Sequence, residues 1–174
     1  MAAPSRNAVS ENVAWPSRMF FVTTKTAVGK GVLQSDRNAA LLVDVLRSCV
    51  ADGHFLVYDF VVMPSHLHLL ISVSGDMSVG KAMQFVKGRF SYRVKKELGF
   101  AGEVWQRGFS EVRADGQANL ERYRRYIAQN PVRAGLVRDG EWFRWCFETL
   151  KRRKAQGLKP TTLKSAIGTT EVVP

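Results

Sequence analysis

Residues 54–73 read HFLVYDFVVMPSHLHLLISV, two apolar runs parted only by Pro64 and Ser65. Both runs are rich in β-branched and aromatic residues, and a two-residue connection is enough to reverse an antiparallel strand. A tight hairpin is expected here. Its neighbours on either side have a different period. In SDRNAALLVDVLRSCVADG (35–53), Ser35 or Asp36 can cap a helix, Leu41, Leu42, Val45, Leu46 and Cys49 recur at helical spacing, and Gly53 can end it. In SVGKAMQFVKGRFSYRVKKELG (78–99), Val79, Met83, Val86, Phe90 and Val94 share one face, the other face is basic, and Gly99 is the terminator.

Further out, MFFVTTKT (19–26) reads as a first strand and EVWQRGFSEVRA (103–114) as a fourth, irregular around Gly108. DGQANLERYRRYIAQN (115–130) is a third helix, expected to end near Asn130 because Pro131 disfavours helical geometry in the residue before it. The order β-α-β-β-α-β-α predicts an α+β fold. Its core is the ferredoxin-like β-α-β-β-α-β unit, with the first two helices on one face of the sheet and an additional C-terminal, tyrosine-bearing helix.

Residues 1–17 carry Pro4 and Pro16 without periodicity, and 151–174 are basic, then small and polar. They read as a flexible lead and a basic, disordered tail around one domain over 18–150. The chain of 174 residues is 45% hydrophobic and carries 26 Lys and Arg against 15 Asp and Glu, a formal +11. That excess points to a nucleic-acid partner. Two cysteines make no disulfide framework, and no segment reaches the roughly 20 apolar residues of a membrane span. A cytoplasmic, nucleoid-associated protein with no membrane partner is expected.

Within the hairpin, His66 and His68 lie two apart, so a strand aims both to the face shared with Leu70, while Leu67, Leu69 and Ile71 take the other. Two neutral imidazoles on one face can bind a single divalent ion if a third ligand comes from elsewhere. His-x-His alone fits satisfied core-edge histidines equally well. The chain has only three histidines, however, and places two of them in its most apolar segment. His54 reads as a surface or edge residue. On the third helix Leu120, Tyr123 and Ile127 form the apolar stripe, so Tyr123 is structural. Tyr126 stands at the stripe's edge with Gln129 and Asn130 at i+3 and i+4. A tyrosine hydroxyl can form covalent intermediates, and a divalent ion can polarise a phosphodiester. Together with the positive charge, these suggest strand transfer on DNA.

VVMPSHLHLLISV (61–73), VWQRGF (104–109) and YIAQNPVRAGLV (126–137), in this order, resemble the single-tyrosine HUH transposases of small insertion sequences, and most closely their REP-associated tyrosine transposase branch. The similarity runs from about residue 19 to 147. It implies that His66 and His68 are metal ligands and that Tyr126 is the nucleophile, which attacks single-stranded DNA and becomes linked to the 5′ phosphate. It also implies a third metal ligand one turn after Tyr126, either Asn130 or Gln129, with position favouring Asn130. The implied ion is Mg²⁺ or Mn²⁺, although softness alone also permits zinc. The implied substrate is a palindromic, REP-like hairpin, and a monomer is favoured over a homodimer. Lys81, Lys87, Arg89, Arg93, Lys95 and Lys96 on the second helix, with Arg122, Arg124 and Arg125 on the third, are candidate phosphate contacts. Trp105, Phe109 and Trp145 read as core aromatics in preference to base-stacking surfaces. In NPVRAGLV, Gly135 permits a turn, and Leu136 with Val137 is expected to dock on the core. The alternatives are a non-catalytic hairpin binder on the same fold, and a hydrolase using metal-bound water with Tyr126 as spectator.

Overall fold

The computed structural model describes residues 17–27 and 31–148; the lead and tail expected over 1–17 and 151–174 lie almost wholly outside them. Strand β1 (Ser17–Lys25), helix α1 (Asp36–Ala51), strands β2 (Leu56–Met63) and β3 (His66–Ser74), helix α2 (Val79–Leu98), strand β4 (Ser110–Arg113) and helix α3 (Gln117–Arg133) follow in the expected order. The sheet order is β2-β3-β1-β4, with every neighbouring pair antiparallel. This is the ferredoxin-like arrangement, in which each helix crossover skips one strand. The fourth strand is broken as expected. Trp105 makes an isolated bridge to Thr26, Gly108 turns the chain at φ +69°, and regular pairing resumes at Ser110.

Local chemistry sets the element ends. The Ser35 hydroxyl accepts from the Asn38 N–H at the start of α1, and Ser78 accepts from Lys81 at the start of α2. Gly99, at φ +67°, closes α2 in the left-handed conformation.

The alternation of β3 divides the interior. Leu67, Leu69 and Ile71 join Leu42, Val45, Met83, Val86 and Phe90 in the larger core under α1 and α2. Leu70 joins Phe21, Val61, Met63, Tyr123 and Ile127 in a smaller core under α3, on the opposite face. Trp105 and Trp145 are buried in the larger core and Phe109 packs against it, as expected of core aromatics. Among the described residues no helix is long and apolar enough to cross a membrane.

Two expectations, one for the third helix and one for the segment after it, are corrected. It continues through Pro131 to Arg133. Pro131 removes the donor that would reach the Ile127 carbonyl, but only two helical residues follow it. The turn is retained by the Ala134 N–H to the Asn130 carbonyl and the Leu136 N–H to the Pro131 carbonyl, and the proline ring is buried. Leu136 does not dock on the core. Gly135, at φ +67°, turns the chain away and leaves Leu136 41% exposed.

Candidate metal and nucleophile centre

The register of β3 places His66 opposite Lys25 on β1 and Met63 on β2, and His68 opposite Thr23 and Val61. Both imidazoles therefore stand on the α3 face. Their ring centroids are 4.6 Å apart at 76°. Each ring is held at the same atom: Ser65 Oγ lies 3.1 Å from His66 Nδ1, and Thr23 Oγ1 lies 2.7 Å from His68 Nδ1. A hydroxyl that accepts from Nδ1–H fixes the tautomer whose Nε2 carries the free lone pair. Where both hydroxyls accept, the Nε2 atoms of the two rings can serve a ligand.

Helix α3 brings the tyrosine. Tyr123 stacks on Phe21, centroids 4.5 Å apart at 10°, and Phe21 stacks in turn on His68 at 5.4 Å. Tyr126, 38% exposed, meets both rings edge-on, 5.5 Å from Phe21 and 5.3 Å from His68. The Asn130 side chain donates through Nδ2 to the Tyr126 carbonyl at 2.8 Å. Its Oδ1 remains for the His68 ring, whose charged form that contact favours. Gln129 is exposed and accepts instead from Arg133, at 3.3 Å. The Arg133 guanidinium lies 5.8 Å from the Tyr126 ring centroid. His66, His68, Tyr126 and Asn130 line one open cleft of about 870 Å³; Gln129 does not.

Burial favours the neutral form of both histidines. Burial pushes the His68 pKa down to about 4, helped by the neighbouring His66 and opposed by Asn130. Burial, then the Lys25 charge, lowers that of His66. A ring whose folded pKa lies below its unfolded 6.5 binds fewer protons folded than unfolded. Its contribution to stability is complete above pH 6.5 and is lost as pH falls towards 4. At about 1.4 kcal/mol per pKa unit, His68 accounts for roughly 3 kcal/mol of acid destabilisation across that window. Urea unfolding of the metal-free protein at pH 7 and pH 4 should show this loss, and His68→Gln should remove most of it. An unchanged pH dependence in the variant would contradict the burial of a neutral ring.

The donor set suits a divalent ion in part. Two imidazole nitrogens and one amide oxygen provide three neutral ligands on an open site, with room for water or phosphate oxygens to complete the shell. Among the described residues no third His, Cys, Asp or Glu joins them, and no residue lining the cleft is acidic.

The cationic residues separate by place. Those of α2 belong to the helical layer behind the sheet, away from the cleft. Arg89 pairs with Asp52 at 2.5 Å and lies 3.1 Å from His54, which stacks on Phe85; Arg93 pairs with Asp44 and Glu97. Lys87 donates to the carbonyls of Gln106 and Gly108, and Lys96 to the Tyr92 hydroxyl. Lys81 and Lys95 are exposed. On α3, Arg122 stacks over Tyr123 and donates to its hydroxyl, Arg124 faces Asp59 at 3.9 Å, and Arg125 is exposed. Phe21, Thr23, Lys25 and Gln106 were not singled out from the sequence. The first three alternate in MFFVTTKT, but only the register with β3 shows what they face.

A family model described as "Transposase IS200 like" matches residues 11–130. No curated protein matches. Among solved structures, a REP-associated tyrosine transposase bound to a REP hairpin superposes with a TM-score of 0.63 at 20% identity, covering 100% of this chain and 94% of the other. A protein of Deinococcus radiodurans R1 assigned as a transposase superposes with a TM-score of 0.50 at 18% identity, covering 68% of this chain and 95% of the other.

Proposed function

This chain belongs to the IS200-like transposase family, and we propose that it cuts and rejoins single-stranded DNA beside palindromic, REP-like hairpins through a phosphotyrosine on Tyr126. The observation that carries this reading is the convergence of His66, His68, Asn130 and Tyr126 in one cleft of one chain. A REP-associated tyrosine transposase of the same fold holds a REP hairpin, which supports the choice of substrate. A site complete within one chain also supports action as a monomer.

His66 and His68, through Nε2, and Asn130, through Oδ1, would hold Mg²⁺ or Mn²⁺. The ion supplies polarisation of the phosphodiester and stabilisation of charge on its non-bridging oxygens. Tyr126, packed edge-on against Phe21 and His68, presents its phenol oxygen to phosphorus. As the oxygen–phosphorus bond forms, the bond from phosphorus to the 3′ oxygen breaks. The phenol loses its proton to solvent, the 3′ oxygen gains one, and the phosphate stays on Tyr126 as a 5′ linkage. A free 3′ hydroxyl reverses the step, so rejoining needs no external energy source.

The test is incubation of the purified protein with Mn²⁺ or Mg²⁺ and single-stranded oligonucleotides bearing palindromic hairpins, followed by denaturing electrophoresis. A slow-migrating adduct that disappears with EDTA is expected. Hairpin binding without adduct or cleavage would leave a DNA-binding protein in place of an enzyme, and cleavage without adduct would make the nucleophile water.

A further inference from the structure

Within VWQRGF, Trp105 is a packing residue. Trp105 is buried, donates through Nε1 to the Lys87 carbonyl, and bridges Thr26. The next residue, Gln106, is fixed by its backbone at both ends: its N–H donates to the Lys25 carbonyl at 2.9 Å, and its own carbonyl accepts from Lys87 Nζ at 2.9 Å. The Gly108 carbonyl accepts from the same ammonium at 2.7 Å. A partly buried lysine on α2 therefore anchors this turn from behind, and Gln106 is placed at the lining of the cleft.

Beside it stands Lys25, exposed and directly opposite His66 in the sheet. No ion pair among the described residues engages it. Gln34 also lines the cleft, with its Oε1 2.6 Å from where a Cβ on Gly31 would stand. The cleft, at about 870 Å³, is far larger than a hydrated ion needs and lies within the range of pockets that take drug-sized molecules. Among the described residues this part of the cleft combines one cation, two amide-bearing residues and no carboxylate, a set that matches a phosphate and the edges of a base.

We propose that Lys25, Gln106 and Gln34 form a nucleotide subsite, seating one unpaired nucleotide of single-stranded DNA next to the phosphate presented to Tyr126. Lys25 contacts a backbone phosphate, and Gln106 with Gln34 reads the base edge. Lys87 acts as a positioning residue through the turn it anchors. This subsite rests on the single-strand reading above, but its occupancy can be measured without any chemistry.

The experiment is fluorescence anisotropy of the full chain with a labelled hairpin oligonucleotide carrying a single-stranded flank, titrated at several salt concentrations in EDTA. A panel with each base in turn in the flank completes it. Lys25→Gln should flatten the slope of log affinity against log salt by about 0.7, the worth of one single-strand phosphate contact, and Lys25→Arg should restore it. Gln106→Ala should leave the slope unchanged and narrow the spread of affinities among the four bases. Unaltered slope and unaltered base preference in both variants, alongside wild-type hairpin binding, would overturn the subsite. Variants that show these effects, alongside a wild type that forms no adduct with Mn²⁺, would keep the subsite and remove the phosphotyrosine chemistry.

Discussion

Tyr126→Phe is expected to abolish the covalent adduct and to lower cleavage by about a thousandfold or more, while hairpin affinity stays within about twofold of wild type. The substitution removes one oxygen and nothing else. The ring keeps its edge contacts with Phe21 and His68, and the hydroxyl belongs to a side chain already more than a third exposed. The stacked pair of Tyr123 and Phe21 that seats α3 is untouched. Thermal unfolding and hairpin binding, measured on the same preparation, separate loss of chemistry from loss of fold. Adduct formation that survived Tyr126→Phe would move the nucleophile to another residue. Tyr123→Phe is the matched control: that ring is buried, its hydroxyl is taken by Arg122, and adduct formation should persist.

The second large effect is on metal. His66→Ala should weaken Mn²⁺ binding, read by calorimetry or electron paramagnetic resonance in the presence of hairpin DNA, by about a hundredfold or more. Outer-shell partners of metal ligands alone are worth 10- to 100-fold, and His66 would be an inner one. His66 is half-buried and its hydroxyl partner is the adjacent Ser65, so the fold should lose little. His68→Ala should match it in metal affinity and differ in stability. His68 is only 5% exposed, stacks on Phe21 and is held by Thr23, so truncation leaves a cavity in the smaller core and should lower the unfolding temperature as well. Equal Mn²⁺ affinity in wild type and His66→Ala would exclude the pair as a metal site.

Sequence carried much of this because the decisive features are short in range. Alternation alone put His66 and His68 on one face, and the two-residue turn at Pro64–Ser65 allowed little freedom of register between their strand and β2. The end of α2 at Gly99 and the cap at Ser35 are likewise local. What escaped depends on partners far along the chain. Lys25 faces the cleft only because β1 pairs with β3 some 40 residues later, so a charged residue near the end of a strand carried no mark of its role. The basic face of α2 looked free, yet Arg89 and Arg93 are bound to acids on and after α1, which no helical pattern of α2 could announce. Pro131 misled for a different reason. Its penalty falls on the helix interior, and near a C-terminus a buried ring and later backbone bonds outweigh it.

The unequal division of the interior between the two faces of the sheet also governs motion. The strand bearing the imidazoles is locked in the middle of the sheet, between β1 and β2, whereas the helix bearing the phenol rests on the smaller core of Phe21, Met63, Tyr123, Ile127 and their few neighbours. Segments with fewer apolar contacts open at lower free energy than the body of the protein. Amide protons of α3 should therefore exchange with solvent sooner than those of β3, through excursions that lift Tyr126 and Asn130 while His66 and His68 keep their places. A complete centre is then a populated state of an equilibrium rather than a fixed object. Any DNA strand that touches both the sheet and α3 draws that equilibrium towards closure and slows the exchange.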